Sequence, residues 1–197
     1  MKQIITISRQ YGSGGREIGQ ALAEHYHIPF YDKNVAELSA AVTGFTTKVI
    51  ENLEDSVPSI LSYQFFVCLP LPMPLSDQVF FAQSEVIRKV ADAGPCVIVG
   101  RCADYILRQH PHCLHFFIHA PLPQRIRRVM EREQCSEAEA EAHIKMTDRN
   151  RAAYHDFYAQ GNWGKTENYH ATLNSSLGIE CCTKALISLI DLHEQQP

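Results

Sequence analysis

A glycine-rich stretch near the start of the chain, Ser8–Gly19 (SRQYGSGGREIG), carries the residues best suited to chemistry. It follows the β-branched run Ile4–Ile7, which is typical of a strand buried on both faces of a parallel sheet. Apolar residues at helical spacing come next, so the pattern is strand, loop and helix. Glycines let the backbone turn sharply and present amide groups beside the positive end of the helix dipole. The stretch therefore predicts an anion site, with phosphate as the expected ligand.

The loop departs from the common phosphate-binding spacing, in which a lysine and a hydroxyl residue follow the last glycine. When the two are aligned on the GSG letters, Arg9 stands at the first glycine, Gly15 at the lysine and Arg16 at the hydroxyl residue. A tight turn that binds nothing is the alternative, but three glycines flanked by two arginines favour phosphate. We expect Arg16 to supply the missing charge. The predicted cofactor-binding residues are Gly12, Ser13, Gly14, Gly15, Arg16 and Glu17.

The composition narrows the class of protein. The 197 residues fit one domain, with 45% hydrophobic and 20% charged residues. A net charge of −4 gives no basic field for nucleic acid, and no apolar run reaches the roughly 20 residues of a membrane helix. The first strand follows Met1 so closely that no signal peptide is expected. Seven scattered cysteines predict reduced thiols and a cytoplasmic location.

Further strand candidates alternate with helical patterns along the chain, at Ile28–Asp32, Cys96–Val99, Leu114–His119 and Tyr169–Asn174. This alternation predicts a parallel α/β sheet with right-handed crossovers. In such sheets ligands bind beyond the carboxyl ends of the strands. The glycine-rich loop and residues distant in sequence should therefore meet in one crevice, among them Asp32, Arg101 and Ser175.

Two segments stand apart from the sheet. A proline-rich stretch at about 54–76 includes LPLPMPL, which cannot form the interior of a helix. We expect it to be a flap over the substrate pocket, and an extended ligand for a partner domain is the alternative. Ser76 or Asp77 is expected to cap the next helix. A capping box, Ser136–Glu139, opens a polar helical segment at about 136–165.

The chain resembles the cytidylate kinase-like family, relatives of the nucleoside monophosphate kinases, nearly from end to end. The matching segments are ITISRQYGSGGREIG, IPFYDK, VIVGR, DRNRAAYHDFYAQGNWG and NYHATLNSSLGIE. The resemblance implies a single P-loop kinase-like domain over residues 1–197, with a three-layer P-loop NTPase fold. Its parallel sheet would have five strands in the order 2-3-1-4-5, flanked by helices. It implies ATP with Mg²⁺ as donor and CMP as acceptor.

The resemblance also implies roles for residues. The stretch Gly12–Arg16 would hold donor phosphates, and Arg101 and Asp104 would contact the acceptor nucleotide. Lid residues would close over the donor, namely Asp148, Arg149 and Arg151. This chain departs from its relatives in lacking the loop lysine, in having Val99 before the Gly-Arg pair, and in reading Tyr169-His170 in the last strand.

Arginine suits phosphoryl transfer because its planar fork binds two phosphate oxygens. The catalytic candidates are Arg16, Arg101, Arg149 and Arg151, and a solvated helix face is the alternative for the last two. Asp32, Arg101 and Asp104 are the substrate-binding candidates, and Asp104 is the best candidate for a general base. Asp32 or Glu17 could hold Mg²⁺ through water, while no residue set indicates a protein-bound metal such as zinc.

Three functions follow from these patterns. The first is ATP-dependent transfer to a nucleoside monophosphate, with CMP as the expected acceptor. The second is a nucleotide-binding module that has lost transfer, and the third is a P-loop kinase for another acceptor, such as a sugar acid or a nucleoside. The expected partners are small nucleotides, with no nucleic acid or membrane, and nothing in the sequence specifically indicates a homo-oligomer.

Overall fold

The computed structural model describes residues 3–48, 50, 73–159 and 163–195. Within them the strands are β1 (Ile4–Arg9), β2 (Phe30–Tyr31), β3 (Val97–Val99), β4 (Cys113–His119) and β5 (Ala171–Asn174). The helices are α1 (Gly15–Tyr26), α2 (Asn34–Thr43), α3 (Leu75–Ala93), α4 (Ala103–Ile106), α5 (Leu122–Glu133), α6 (Glu137–Tyr158) and α7 (Ile179–Glu194). Short 3₁₀ turns cover Thr166–Asn168 and Ser175–Leu177. Most of the predicted proline-rich flap lies outside the described residues.

The five strands form one parallel sheet in the order β2-β3-β1-β4-β5, which confirms the expected order. β1 lies at the centre, where Ile5 pairs with Val97 of β3 on one side and with Leu114 of β4 on the other. Residues 4–8 of β1 are buried, as the β-branched run predicts. Parallel neighbours need crossover connections, so the loops that follow the strands open at one edge of the sheet.

Helices cover both faces of the sheet and give the predicted three layers. On one face, Ile5 packs in a buried cluster with Leu22 of α1 and Leu186 of α7. On the other face, Ile98 packs with Ile87 of α3 and with further residues of α2, α4 and α6. None of the helices in the described ranges is long and apolar enough to cross a membrane.

Two helix starts show how well local signals place an element. Ser136 accepts a hydrogen bond from the amide of Glu139, whose side chain accepts from the Ser136 amide, so the capping box is present. The start of α3 differs from prediction, because the helix begins at Leu75 with Pro74 in the capping position rather than at Ser76 or Asp77. Proline fixes the entry into a helix through its backbone angle, without needing a side-chain cap.

α1 lies close against the middle of the sheet at Gly19. A Cβ atom at this position would lie 3.0 Å from Cγ2 of Val99, 3.1 Å from Cδ1 of Ile7 and 3.3 Å from Cε2 of Phe30. These contacts involve three neighbouring strands, so the helix is held close to the middle of the sheet. The start of α1, which follows the glycine-rich loop, is fixed by the same packing.

We predict that Gly19→Val lowers the free energy of unfolding by roughly 1–3 kcal/mol, because the added methyl groups overpack the contact with the sheet. Gln20→Val, at the exposed neighbouring position, is the matched control, and its cost should stay below about 0.7 kcal/mol. Urea unfolding measures both variants. Equal stability of the two variants would show that the close approach does not constrain the helix.

Candidate active site

The glycine-rich loop has a conformation and a packing that require glycine at two positions. Gly12 has φ +73° and Gly14 has φ +82°, both in the left-handed region. A Cβ atom at Gly14 would lie 2.0 Å from Cδ1 of Ile179, and one at Gly12 would lie 3.0 Å from the carbonyl oxygen of Arg125. The loop is therefore pressed against the start of α7 and against α5.

Side chains from outside the loop bind its carbonyl oxygens. Arg125 donates from Nη1 to the Tyr11 carbonyl at 3.2 Å, and Arg128 donates to the Ser13 carbonyl at 3.0 Å. The Ser175 hydroxyl donates to the same Ser13 carbonyl at 2.5 Å. A helix leaves its first amides without an intrahelical acceptor. With these carbonyls bound to arginine and serine, the amides in the first turn of α1 are the groups that the loop offers to an anion.

Tyr11 joins the loop to α6. Its backbone amide donates to Oδ1 of Asp148 at 2.7 Å, and its hydroxyl donates to Oε1 of Glu133 at 2.5 Å. Although burial acts to raise the pKa of Glu133, hydrogen bonds from Tyr11, Arg132 and His143 lower it to about 2. Glu133 therefore remains a charged acceptor for Tyr11 at neutral pH, and the loop is tied to α6 through Asp148 and to the end of α5 through Glu133.

Asp32, at the end of β2, collects three arginines. Nε of Arg16 lies 2.7 Å from its Oδ2, while Nη1 of Arg101 lies 3.7 Å and Nη2 of Arg9 lies 3.9 Å from its Oδ1. Arg101 also donates to the Asp32 backbone carbonyl. The Asp32 side chain is only 9% exposed. Because one carboxylate faces three guanidinium groups, this cluster has a surplus of positive charge and favours an anionic ligand.

The backbone before α4 is strained where it presents Arg101. Gly100, Arg101 and Cys102 have φ values of +78°, +54° and +53° in succession. The left-handed conformation costs a residue other than glycine about 1–3 kcal/mol, and such strain is concentrated at ligand sites. The buried guanidinium of Arg101 is thus held in place by its backbone as well as by Asp32.

These residues open onto a cavity of about 350 Å³, a size in the range of small-ligand pockets. Four cationic side chains line it, those of Arg9, Lys33, Arg101 and Arg151, together with the carboxylate of Asp32. Tyrosine, histidine and tryptophan side chains complete the wall. The combination of cationic and aromatic groups suits a ligand with both a phosphate and a flat ring.

A second cavity, of about 400 Å³, lies against the glycine-rich loop at Gly12 and Gly14. Arg128, Arg132 and Ile179 are among its other lining residues. The loop backbone therefore forms one wall of this cavity, while Arg9, at the start of the loop, lines the first. A ligand whose phosphates bind the loop could extend into either of the two cavities.

Asp104 is buried and paired with His155 of α6, with 3.0 Å between Oδ2 and Nε2. Burial acts to raise the pKa of Asp104, but the hydrogen bond and the charge of His155 outweigh it and hold this pKa below the ordinary value. His155 lines both the 350 Å³ cavity and a smaller one that it shares with Asp104. The imidazole of His155, and not the carboxylate of Asp104, is therefore the group of this pair that lines the first cavity.

The structure brings several predicted residues together. Arg16 and Arg101 meet at Asp32, and Arg151 of α6 reaches the same region, where its Nη1 donates to the Arg9 carbonyl at 3.2 Å. Arg149 lies exposed on α6. Glu17, also exposed, lines the second cavity.

Sequence reasoning did not assign a role to Lys33, Tyr154, His155 or Trp163, all of which line the first cavity. Each lies in a segment that matches the family, Lys33 in IPFYDK and the other three in DRNRAAYHDFYAQGNWG, but the segments alone do not indicate which side chains face a ligand. Lys33 also carried a positional signal, because it follows Asp32 at the carboxyl end of a predicted strand. The others come from the helix and turn after residue 136, which only the fold brings back over the sheet.

The residues at the loop fit ATP phosphates better than they fit a directly bound metal. At Gly12, Gly14 and Gly15 a Cβ atom would collide with neighbouring residues, so these positions carry no side chain. The backbone amides are therefore the groups with which the loop can bind a ligand. Arg16 replaces the hydroxyl residue of the common motif and bonds Asp32. The described residues contain no group of three or more acidic, histidine or cysteine side chains able to hold a metal. Mg²⁺ would therefore be held mainly by nucleotide phosphates and water.

Comparison with known proteins agrees with this geometry. The sequence model of the cytidylate kinase-like family matches residues 4–177 of the chain. No curated protein sequence matches it. A solved structure of an uncharacterized protein from Eubacterium ventriosum ATCC 27560 is 30% identical and superposes with a TM-score of 0.73, covering 96% of this chain and 99% of that chain.

More distant solved structures share the fold. A shikimate kinase from Bacteroides thetaiotaomicron is 15% identical, with a TM-score of 0.57, and covers 97% of this chain and 99% of that chain. A deoxyadenosine kinase from M. mycoides, solved with dCMP and dCDP, is 12% identical, with a TM-score of 0.51, and covers 96% and 99%. At these identities the likeness shows the P-loop kinase fold alone.

The arginine cluster predicts a measurable effect of Asp32→Asn. The variant should lower the free energy of unfolding by roughly 1–3 kcal/mol, because three arginines lose the charge of their partner and Arg16 loses a charged hydrogen bond. Added sulfate should recover part of this loss by binding the folded state in place of the carboxylate. Asp92→Asn, whose side chain is 76% exposed, is the control and should change stability by less than about 0.5 kcal/mol. The melting temperatures of both variants are measured with and without sulfate. Equal melting temperatures for Asp32→Asn and Asp92→Asn would contradict the prediction.

Proposed function

Because the chain belongs to the cytidylate kinase-like family and is a kinase-like phosphotransferase, we propose that it transfers the γ-phosphoryl group of ATP to a nucleoside monophosphate, with CMP as the preferred acceptor. The observation that carries the proposal is the cationic 350 Å³ cavity that begins where the glycine-rich loop begins. A donor phosphate on the loop and an acceptor phosphate in this cavity would be neighbours. We also infer a cytoplasmic location, because the cysteines of the described residues are free thiols.

On the donor side, the amides at the start of α1 would bind the ATP phosphates. The 400 Å³ cavity at Gly12 and Gly14 would receive the nucleoside, with Arg132 and Ile179 on its walls. Mg²⁺ bound to the phosphates would neutralise charge during transfer. Glu17 and Asp32 are the carboxylates that would meet its water shell, Glu17 in the second cavity and Asp32 in the first.

On the acceptor side, Arg101 is the first choice for the acceptor phosphate, because its guanidinium is buried and doubly held at Asp32. Asp32 would orient this arginine and Arg16, and Asp104 would act through His155, the side chain that lines the cavity. The aromatic side chains of Tyr154 and Trp163 would flank a flat pyrimidine. The acceptor phosphate is itself a nucleophile, so transfer depends mainly on positioning and on positive charge.

Arginines would supply the charge for the transferred group. Arg151 reaches from α6 to the loop, where its guanidinium carbon lies 5.3 Å from the ring centre of Tyr11 and its Nη1 atom donates to the Arg9 carbonyl, which suits contact with donor phosphates. Arg149, two residues earlier on α6, would join it from the exposed side. Arg16 would contribute by fixing Asp32 among the arginines.

An acceptor screen tests the proposed function. The purified protein is incubated with ATP and Mg²⁺ and with one of CMP, dCMP, UMP, AMP, GMP, cytidine or gluconate, and ADP release is measured. We expect CMP to give a kcat/KM at least about 10-fold above UMP, AMP and GMP, because a site that hydrogen-bonds one base penalises the others.

Two outcomes would contradict the proposal in different ways. Faster ADP release with cytidine or gluconate than with any monophosphate would make the protein a kinase for a hydroxyl acceptor. Tight ATP binding without acceptor-dependent ADP release would make it a nucleotide-binding module, a function that the missing loop lysine also favours.

A further inference from the structure

The space above Gly15 is already filled. In the alignment with the common phosphate loop, Gly15 stands where the lysine is expected, and Arg9 stands at the first glycine. A Cβ atom at Gly15 would lie 2.6 Å from Cβ and 3.0 Å from Cγ of Arg9. No side chain at position 15 is therefore compatible with Arg9 in its present place. The two departures from the motif are spatial complements of each other.

We propose that Arg9 is the phosphate-binding cation of this loop and takes the place of the missing lysine. The inference rests on the proposed function, because it assigns a role toward the donor triphosphate. Its ligand is the β- and γ-phosphate pair of a nucleoside triphosphate. The sequence motif is thus rearranged: the charged side chain has moved from the end of the loop to its beginning, and glycine has moved in the opposite direction.

The position of the Arg9 guanidinium supports this role. Its Nη1 atom lies only 2.0 Å from where a Cβ at Gly100 would be, so the group rests on the backbone of Gly100. Its Nη2 atom lies 3.9 Å from Oδ1 of Asp32. The Arg9 side chain is 18% exposed and lines the 350 Å³ cavity. It therefore crosses from the loop, where donor phosphates would bind, to the proposed acceptor site.

Arg16 is less suited to this role in the structure. Its Nε atom lies 2.7 Å from Oδ2 of Asp32, and its guanidinium carbon lies 5.8 Å from the ring centre of Phe30. Arg16 lies outside the residues that line the 350 Å³ cavity, whereas Arg9 is among them. The ion pair between Arg9 and Asp32, at 3.9 Å, is longer than the pair between Arg16 and Asp32 and is therefore the weaker of the two. The planar guanidinium of an arginine can bind two phosphate oxygens at once.

Nucleotide affinities separate this role from a structural one. Calorimetry measures the binding of ATP, ADP and AMP to the wild type, to Arg9→Ala and to Arg88→Ala, an exposed arginine of α3 that serves as control. Arg9→Ala should weaken ATP and ADP by roughly 10- to 100-fold, as expected for a lost charged hydrogen bond, and should change AMP by less than about 3-fold. Arg88→Ala should leave all three affinities unchanged.

Exchanging the residue types at positions 9 and 15 tests whether Arg9 occupies the space that a side chain at position 15 would need. Gly15→Lys alone should lose ATP affinity, since its Cβ collides with Arg9. Adding Arg9→Gly should restore ATP affinity to within about 10-fold of the wild type, because a lysine then has both space and charge. Adding Arg9→Ala instead should not, because the alanine Cβ keeps the 2.6 Å collision. Equal ATP affinity in the two double variants would overturn the exchange.

The outcomes separate this inference from the proposed function. A wild type that binds no ATP would overturn both. If the wild type binds ATP and the Arg9→Ala variant binds ATP and ADP as tightly as the wild type does, the inference is overturned and the proposed function stands. If Arg9→Ala does not fold, as circular dichroism would show, Arg9→Gln keeps the length of the side chain and Arg9→Lys keeps its charge. The inference then requires strong ATP binding by Arg9→Lys and weak binding by Arg9→Gln, and equal affinities would overturn it.

Discussion

The carboxylate of Asp32 is the point on which the candidate site depends. It is nearly buried at the end of β2, and it draws together arginines from the end of β1, from α1 and from the turn after β3. A buried carboxylate and a buried guanidinium are each costly alone, so each stabilises the other in place. Because positive charge remains in excess, the cluster holds its arginines in position and still attracts an anion.

The glycine-rich loop is constrained from the opposite side. Arg125 and Arg128 of α5 and Ser175 after β5 bind its carbonyl oxygens, and Asp148 and Glu133 bind Tyr11. These contacts leave the amides at the start of α1 as the free binding surface of the loop. The loop and the Asp32 cluster meet at Arg9, the last residue of β1. The shape of the loop and the charge of the cavity are thereby coupled through one side chain.

Much of this architecture could be predicted from the sequence, because its signals are local. The run Ile4–Ile7 and the glycines after it indicated a strand, an anion loop and a helix, and the family resemblance supplied the order of the sheet. The capping box at Ser136 was readable from two side chains three residues apart. The strand predicted at Ile28–Asp32 is only two residues long and lies at the edge of the sheet beside β3.

Other features depend on contacts between distant residues and could not be predicted. The pairing of Asp104 with His155 joins residues 51 positions apart. Arg16 was expected to replace the lysine because it is adjacent in sequence, yet in the structure it reaches Asp32. The sequence motif does not show that the Arg9 side chain fills the space beside Gly15, because this contact depends on the distance between the start of α1 and the end of β1.

A crystal structure of the protein with ADP and CMP would show whether the loop and the arginine cluster form one phosphoryl-transfer site. We expect the β-phosphate of ADP on the backbone amides of Gly12–Arg16, and the phosphate of CMP within hydrogen-bonding distance of Arg101. The two phosphates should face each other across the 350 Å³ cavity. Nucleotide phosphates bound elsewhere, with the loop amides covered by protein side chains, would contradict this arrangement.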